Sequence, residues 1–98
     1  MVVIDPEGAE TAAMDRIGTE ITGSRVLEVG CGDGRLTWRY AARAASVLGI
    51  DPDAEEIALA RAATPPGLRG RVEFRGTGID SLDAPPGSFD VVVMAWSL

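Results

Sequence analysis

The chain has 98 residues, 46% of them hydrophobic and 24% charged, which suits one domain with a modest core over residues 1–98. Its formal charge of −6 argues against nucleic acid as a substrate, because a protein that binds a polyanion needs a basic face. With one cysteine and no histidine we expect neither an internal disulfide nor a metal site. No apolar run reaches the length of a membrane span and no signal peptide is evident, so we expect a cytoplasmic protein.

The first predicted element is a helix near the N-terminus. Asp5 supplies a cap, Pro6 suits the first turn, and apolar residues recur at helical spacing until Gly23 ends the element. A strand, a glycine loop and the start of a second helix then follow in the run Val26-Leu27-Glu28-Val29-Gly30-Cys31-Gly32-Asp33-Gly34.

The glycine loop is the most informative part of this run. Gly30, Gly32 and Gly34 allow positive φ angles and place no side chain between main chain and ligand, so an extended small molecule can lie on the loop. We predict that Glu28 lies at the mouth of the loop, where its carboxylate accepts hydrogen bonds from a cationic or hydroxylated ligand group. Cys31 is interpreted as a small residue in a crowded loop, since no histidine is available to activate it as a nucleophile.

The spacing of the glycines separates two classes of cofactor. A dinucleotide-binding loop has the pattern Gly-x-Gly-x-x-Gly, and the position of its third glycine is occupied by Arg35. The observed acid-x-Gly-x-Gly-x-Gly resembles the first motif of class I S-adenosylmethionine-dependent methyltransferases, whose ligand carries an amino acid and a ribose but no phosphate. Taken alone, so short a motif leaves open the alternative of a mere tight turn.

A second predicted helix covers residues 34–45, and the strand at residues 46–50 then ends on Asp51. In a parallel sheet the carboxyl end of this strand lies beside the glycine loop, so Asp51 can accept hydrogen bonds from both ribose hydroxyls. The alternative is that Asp51 only opens the next helix. Asp53 already suits that role, because Glu56 follows it at capping-box spacing.

The rest of the chain extends the resemblance, which covers residues 25–98. A third helix is predicted over residues 53–63, a third strand over 72–75 and a fourth over 89–94, the last entered through Gly-Ser-Phe-Asp-Val-Val as in methyltransferases of quinone biosynthesis. In that branch an acid contacts the adenine; its position is occupied by Gly78, and Asp80 is displaced from it by two residues. We expect backbone recognition there. The residues that the resemblance adds to the cofactor site are Pro52, Ile79, Asp80 and Ala95.

Strands that alternate with helices predict an α/β fold, a Rossmann-like parallel sheet with strand order 3-2-1-4 and flanking helices. The methyltransferase core has seven strands, so the resemblance implies a truncated domain that keeps the cofactor-binding half. The fourth strand would then be an exposed edge of the sheet. We expect a second copy of the chain to cover this edge in a homodimer.

The resemblance implies an enzyme that moves a methyl group from S-adenosylmethionine to a small-molecule acceptor, without nucleic acid or membrane as partner. The chain alone is expected to have little activity, and no catalytic residue can be assigned from its sequence. The alternative is a non-catalytic half-domain that acts as a binding or dimerisation module. A dinucleotide-dependent oxidoreductase is a distant third.

Overall fold

A five-stranded parallel sheet forms the centre of the molecule in the computed structural model, which describes residues 2–4 and 19–95. Its strands are β1 (Val2–Ile4), β2 (Arg25–Val29), β3 (Ser46–Ile50), β4 (Val72–Arg75) and β5 (Val91–Met94). They lie in the order β1-β5-β2-β3-β4, and each neighbouring pair is parallel. For β2 to β5 this is the predicted order 3-2-1-4, so the predicted Rossmann-like sheet is confirmed.

The strand β1 corrects the expectation of an open edge at β5. Val2 is paired with Val91 and Ile4 with Val93, so a strand of this chain covers the edge that was expected to be exposed. Sequence reasoning missed β1 because a run of three apolar residues is too short to show a strand period. The physical argument for a homodimer through β5 is therefore wrong.

The helix α1 (Ala54–Ala63) connects β3 to β4 as predicted. Asp53 caps it, because Oδ1 of its carboxylate accepts hydrogen bonds from the backbone N–H groups of Glu55 and Glu56. Ile57 and Ala60 are its buried residues. Of the predicted first helix only residues 19–23 are described. Residues 19–21 are helical and residues 22–23 form a turn, so the predicted end at Gly23 is confirmed; the part before residue 19 lies outside the described residues.

The predicted second helix is wrong in type. Residues 34–45 contain two single 3-10 turns, Thr37–Arg39 and Ala41–Arg43, in place of an α-helix. In a 3-10 turn, residues three apart eclipse one another, which brings the hydroxyls of Thr37 and Tyr40 over a single buried carboxylate, that of Glu28. Tertiary hydrogen bonding thus overrides local helix propensity in this segment.

Both faces of the sheet are apolar, as expected for parallel strands. One face packs against α1 and the 3-10 segment through residues that include Val26, Val47, Val91 and Val93. The opposite face carries Leu27, Val29, Leu48 and Ile50, against which Leu82, Phe89, Val92 and Met94 pack. None of the described helices is long or apolar enough to cross a bilayer.

Gly49 in β3 makes room for the packing beneath the glycine loop. A Cβ at this position would lie 2.7 Å from a ring carbon of Phe74 and 3.1 Å from Sγ of Cys31. We expect Gly49→Ala to lower the free energy of unfolding by about 1–3 kcal/mol, the usual cost of overpacking a core. Urea denaturation followed by circular dichroism measures this. Gly67→Ala is the control, because a Cβ there meets no atom within 4 Å.

Candidate cofactor site

The glycine loop follows the carboxyl end of β2, and its glycines have left-handed backbone conformations. The φ angles are +76° at Gly30, +55° at Gly32 and +89° at Gly34, which confirms the predicted need for glycine. The backbone N–H groups of Gly30 and Cys31 both donate to the carbonyl oxygen of Ile50, at 2.8 and 3.1 Å. These bonds fasten the loop to the end of β3.

Asp51 joins the glycine loop to the start of α1. Its Oδ2 accepts a hydrogen bond from the N–H of Gly32 at 3.0 Å, and its Oδ1 accepts one from the N–H of Asp53 at 2.9 Å. The N–H of Asp53 is thereby taken by Asp51, so the return bond from Glu56 that a capping box needs is not formed. The helix cap itself belongs to Asp53, and each oxygen of Asp51 keeps a lone pair that can accept from a ligand.

An open cleft of about 310 Å³ lies over this loop. Of the predicted site residues, five line it: Gly30, Cys31, Gly32, Asp51 and Ala95. Sequence reasoning did not assign the other lining residues to the site: Asp33, Arg35, Leu36, Asp53 and Glu56. Asp53 and Glu56 could have been predicted from the sequence, since a helix that begins directly after Asp51 must place its first turn beside the loop.

Four other predicted residues lie outside the cleft wall. A Cβ at Gly34 would lie 3.1 Å from the indole of Trp38, so this glycine makes room for a side chain of the protein itself. Pro52 is exposed. Ile79 and Asp80 are also exposed, in a single 3-10 turn after β4. The predicted adenine contacts at Ile79 and Asp80, and the predicted cofactor contact at Pro52, stay predictions.

The prediction that Glu28 lies at the mouth of the loop is wrong. Its side chain is fully buried, and its carboxylate accepts hydrogen bonds from Oγ1 of Thr37, at 3.0 Å, and from the hydroxyl of Tyr40. Burial raises the pKa of Glu28 to about 7, although the bonds from Tyr40 and Thr37 act to lower it. Glu28 is therefore a positioning residue that fixes the segment after the glycine loop.

The charge of the cleft is predominantly negative. Arg35 forms a salt bridge with Asp33, with Nη2 and Oδ2 3.0 Å apart. Among the described residues that line the cleft, no other cation faces the carboxylates of Asp51, Asp53 and Glu56. Such a cleft favours a cationic ligand and disfavours phosphate groups. This electrostatic pattern agrees with the argument from glycine spacing against a dinucleotide.

Cys31 stays a thiol at neutral pH. Burial, followed by the charges of Glu28 and Asp51, raises its pKa to about 12. This supports its interpretation as a small residue of a crowded loop. Among the residues that the structure describes, no group of histidine, cysteine and carboxylate side chains is arranged to hold a metal ion.

A larger groove of about 640 Å³ is lined by residues of β3 and β4 and by the segment that precedes β5. It includes none of the glycine-loop residues. The cleft over the loop is the better candidate site, because positive-φ glycines and the carboxylate of Asp51 converge there.

Comparisons with known proteins agree with this geometry. Magnesium-protoporphyrin O-methyltransferase of Rhodobacter capsulatus is 39% identical over 95 residues, which cover 94% of this chain and 42% of that protein. The mitochondrial ubiquinone biosynthesis O-methyltransferase of Mus musculus is 36% identical over 87 residues, which cover 86% of this chain and 24% of that protein. This chain thus spans less than half the length of either relative.

Solved structures show the same fold. An S-adenosylmethionine-dependent methyltransferase from Mesorhizobium loti is 33% identical and superposes with a TM-score of 0.68, over 86% of this chain and 38% of that one. A family model described as a methyltransferase domain matches residues 26–98, which is most of the chain. The chain therefore belongs to the class I S-adenosylmethionine-dependent methyltransferases, as its glycine motif indicated.

Proposed function

We propose that this chain is the cofactor-binding portion of an enzyme that transfers a methyl group from S-adenosylmethionine to a small-molecule acceptor. The observation that carries the proposal is the open acidic cleft built from the glycine loop and Asp51 at the carboxyl ends of β2 and β3. The two relatives described above are named as O-methyltransferases, which favours an oxygen nucleophile on the acceptor.

The residues present fit this cofactor. A Cβ at Gly32 would meet only Glu56, at 3.9 Å, so the space beside the loop is open to a ligand. The cleft volume lies at the lower end of the range for small-molecule sites, and its acidity suits a ligand with a net positive charge. Backbone groups of Gly30 and Gly32 would lie along the ligand, and Asp51 would accept hydrogen bonds from its ribose hydroxyls.

Methyl transfer from this cofactor needs little chemical activation by the protein. Bound S-adenosylmethionine supplies a methyl group already activated by the positive charge on sulfur. The chain's own contribution is to hold the cofactor in one orientation and to keep water from one side of it, so that an acceptor can approach in line. We assign no catalytic base to this portion of the enzyme.

The first test is a calorimetric titration of the chain with three ligands: S-adenosylmethionine, its demethylated product and a nicotinamide dinucleotide. We expect saturable binding of the first two and none of the dinucleotide. Preferred binding of the dinucleotide would contradict the proposal. A non-catalytic module would bind the cofactor and yet transfer no methyl group to an acceptor, even in the full protein that contains this chain.

Asp51→Ala is expected to weaken S-adenosylmethionine about thirtyfold, because a charge-assisted pair of hydrogen bonds contributes on the order of 2 kcal/mol. Loss of the bond to Gly32 adds to the effect by loosening the loop. Calorimetry gives the affinity. Asp83→Ala is the matched control, since Asp83 is an exposed acid that lines the larger groove and not the cleft, and we expect it to change affinity less than twofold. Equal affinities in the two variants would refute the ribose assignment.

Two further expectations are part of the proposal. We infer that the acceptor is no nucleic acid, which is supported by the net charge of −6 and by the acidic cleft. A cytoplasmic location also stays a prediction, and localisation of the tagged full protein by microscopy would test it.

A further inference from the structure

An aromatic pair connects the glycine loop to the edge strand β4. The rings of Trp38 and Phe74 meet edge to face, with centroids 5.6 Å apart and planes at 76°, which is a preferred arrangement of aromatic side chains. Trp38 is partly buried and does not line the cleft, so any effect that it has on a ligand must pass through the residues that it packs against.

One of those residues is Gly34, at the end of the glycine loop. A Cβ on Gly34 would lie 3.1 Å from the indole atoms Cε2, Cζ2 and Nε1, so the indole fills the space that a side chain there would need. The backbone N–H of Trp38 also donates to the carbonyl oxygen of Gly34, at 3.2 Å. Gly34 has a φ of +89°, and a glycine that is not held in place samples many other conformations.

The other ring of the pair is held by two neighbouring elements. Phe74 is buried, and a ring carbon lies 2.7 Å from the point that a Cβ on Gly49 of β3 would occupy. Its carbonyl oxygen accepts hydrogen bonds from Nη2 and Nε of Arg61, in α1, at 2.8 and 3.3 Å. Phe74 is therefore fixed relative to both β3 and α1.

The turn that carries Trp38 is itself fixed to β2. Its residues Thr37 and Tyr40 both donate hydrogen bonds to the buried carboxylate of Glu28. The indole thus lies between a turn that is bound to β2 and a ring that is bound to β3 and α1. The Gly34 end of the loop packs against a side chain that is held on both sides.

We infer that Trp38 is a positioning residue of the cofactor site, which holds the Gly34 end of the glycine loop in its left-handed conformation. The inference rests on the proposed function. A loop that already has its final shape loses less conformational freedom when a ligand binds. The indole therefore raises the affinity for the cofactor through Gly34, without a contact of its own.

Trp38→Leu removes the indole atoms beside Gly34 and keeps an apolar side chain in the core. We expect it to weaken S-adenosylmethionine about tenfold, since a loop that is no longer preorganised must be ordered on binding. Leu68→Ala is the control, because Leu68 packs against the same core cluster but lies outside the cleft wall, and it should change affinity less than about twofold. Calorimetry gives the affinities, at a temperature at which circular dichroism shows each variant folded.

A double-mutant cycle isolates the contact between Trp38 and Gly34. The methyl group of Gly34→Ala meets the indole only when Trp38 is present, so the two changes should not be additive. We expect Gly34→Ala to weaken the cofactor at least about tenfold in the unaltered chain but less than about threefold further in Trp38→Leu. Additive effects would show that Trp38 does not act through Gly34.

Amide hydrogen exchange of the free chain tests the same inference without a ligand. The N–H of Gly34 donates to the carbonyl oxygen of Cys31 at 3.1 Å, so its exchange rate reports how often this end of the loop opens. We expect exchange at Gly34 to be at least about fivefold faster in Trp38→Leu and unchanged in Leu68→Ala.

Three results would overturn the role of Trp38: equal exchange at Gly34 in Trp38→Leu and Leu68→Ala, equal affinities in these two variants, or an additive cycle. If the unaltered chain does not bind S-adenosylmethionine, the proposed function itself fails. The exchange rates then still decide whether Trp38 holds the loop, so the two failures are distinguishable.

Discussion

Replacing Gly32 by valine is expected to lower the affinity for S-adenosylmethionine at least about a hundredfold while the chain still folds. Gly32 has a φ of +55°, and its missing side chain would project into the cleft beside Glu56. A β-branched side chain is strained in this conformation, at a cost of about 1–3 kcal/mol, and it fills space that the ligand needs. Calorimetry measures the affinity, and circular dichroism with urea denaturation measures the stability.

Gly87→Val separates the loss of affinity caused by backbone strain from the loss caused by a side chain that fills the cleft. Gly87 has a φ of +78°, a Cβ at this position would meet no atom within 4 Å, and the residue lies outside the cleft. The valine there should cost similar stability but leave the affinity unchanged. If Gly87→Val weakened binding as much as Gly32→Val, the loss would come from general destabilisation. Retained affinity in a folded Gly32→Val variant would mean that the ligand does not lie on the loop.

Glu28→Leu is expected to lower the free energy of unfolding by about 2–4 kcal/mol. The change leaves the hydroxyls of Thr37 and Tyr40 without their acceptor, and both side chains are buried. Each unsatisfied buried group costs about 1–3 kcal/mol, a large share of the stability of a small domain. Urea denaturation at pH 7 tests this expectation, with Glu28→Gln as the conservative control.

Glu28 also makes stability depend on pH, in the direction opposite to that of most carboxylates. Its pKa is about 7 in the folded chain and near 4.5 in the unfolded chain, so the folded state binds more protons between these values. The contribution of Glu28 is therefore fully present below about pH 4.5 and is lost as pH rises through 7, by at most about 3 kcal/mol. The pKa values of Asp90 and Asp33 are lowered in the folded chain, so these two carboxyls change the stability only at pH values below this window.

Unfolding free energies measured from pH 5 to pH 8 should accordingly fall in the unaltered chain and stay nearly flat in Glu28→Gln. The same variant should keep its affinity for S-adenosylmethionine within about threefold, because the carboxylate faces Thr37 and Tyr40 and not the cleft. A pH profile that is identical in both chains would contradict the burial of an ionisable Glu28. A loss of affinity as large as that of Asp51→Ala would instead make Glu28 a ligand contact.

Features encoded in short stretches of sequence could be predicted. The β-branched runs of the four longer strands, the glycines that need positive φ and the cap at Asp53 all depend on neighbouring residues. The strand order followed from the right-handed crossover rule and from the resemblance to methyltransferases.

Features that depend on distant residues could not be predicted. The environment of Glu28 is set by hydroxyls nine and twelve residues further along the chain, and the same contacts convert the predicted helix into 3-10 turns. The strand β1 exists because β5, nearly ninety residues away in sequence, offers it an edge. Neither interaction has a periodic signature in the sequence.

The sequence predicted the part of the candidate site that depends on strand ends and missed the part that depends on how α1 packs. Gly30, Gly32 and Asp51 come together because parallel strands bring their carboxyl ends to one edge of the sheet. Glu56 was interpreted only as a helix-capping partner, since its orientation depends on how α1 docks and on Asp51 taking the N–H of Asp53. Side-chain direction at a helix start is decided by such bonds, which spacing alone does not reveal.

The most direct test of the central claim is a two-dimensional amide NMR titration of the chain with S-adenosylmethionine. Glycine amides resonate in a distinct region, so Gly30 and Gly32 can be followed together with Asp51 and Glu56. We predict saturable shifts at these four amides and little change at Glu73 and Ser88, which line the larger groove on β3 and β4. Shifts confined to that groove, or no saturable shift at the glycine loop, would contradict the assignment of the cofactor site.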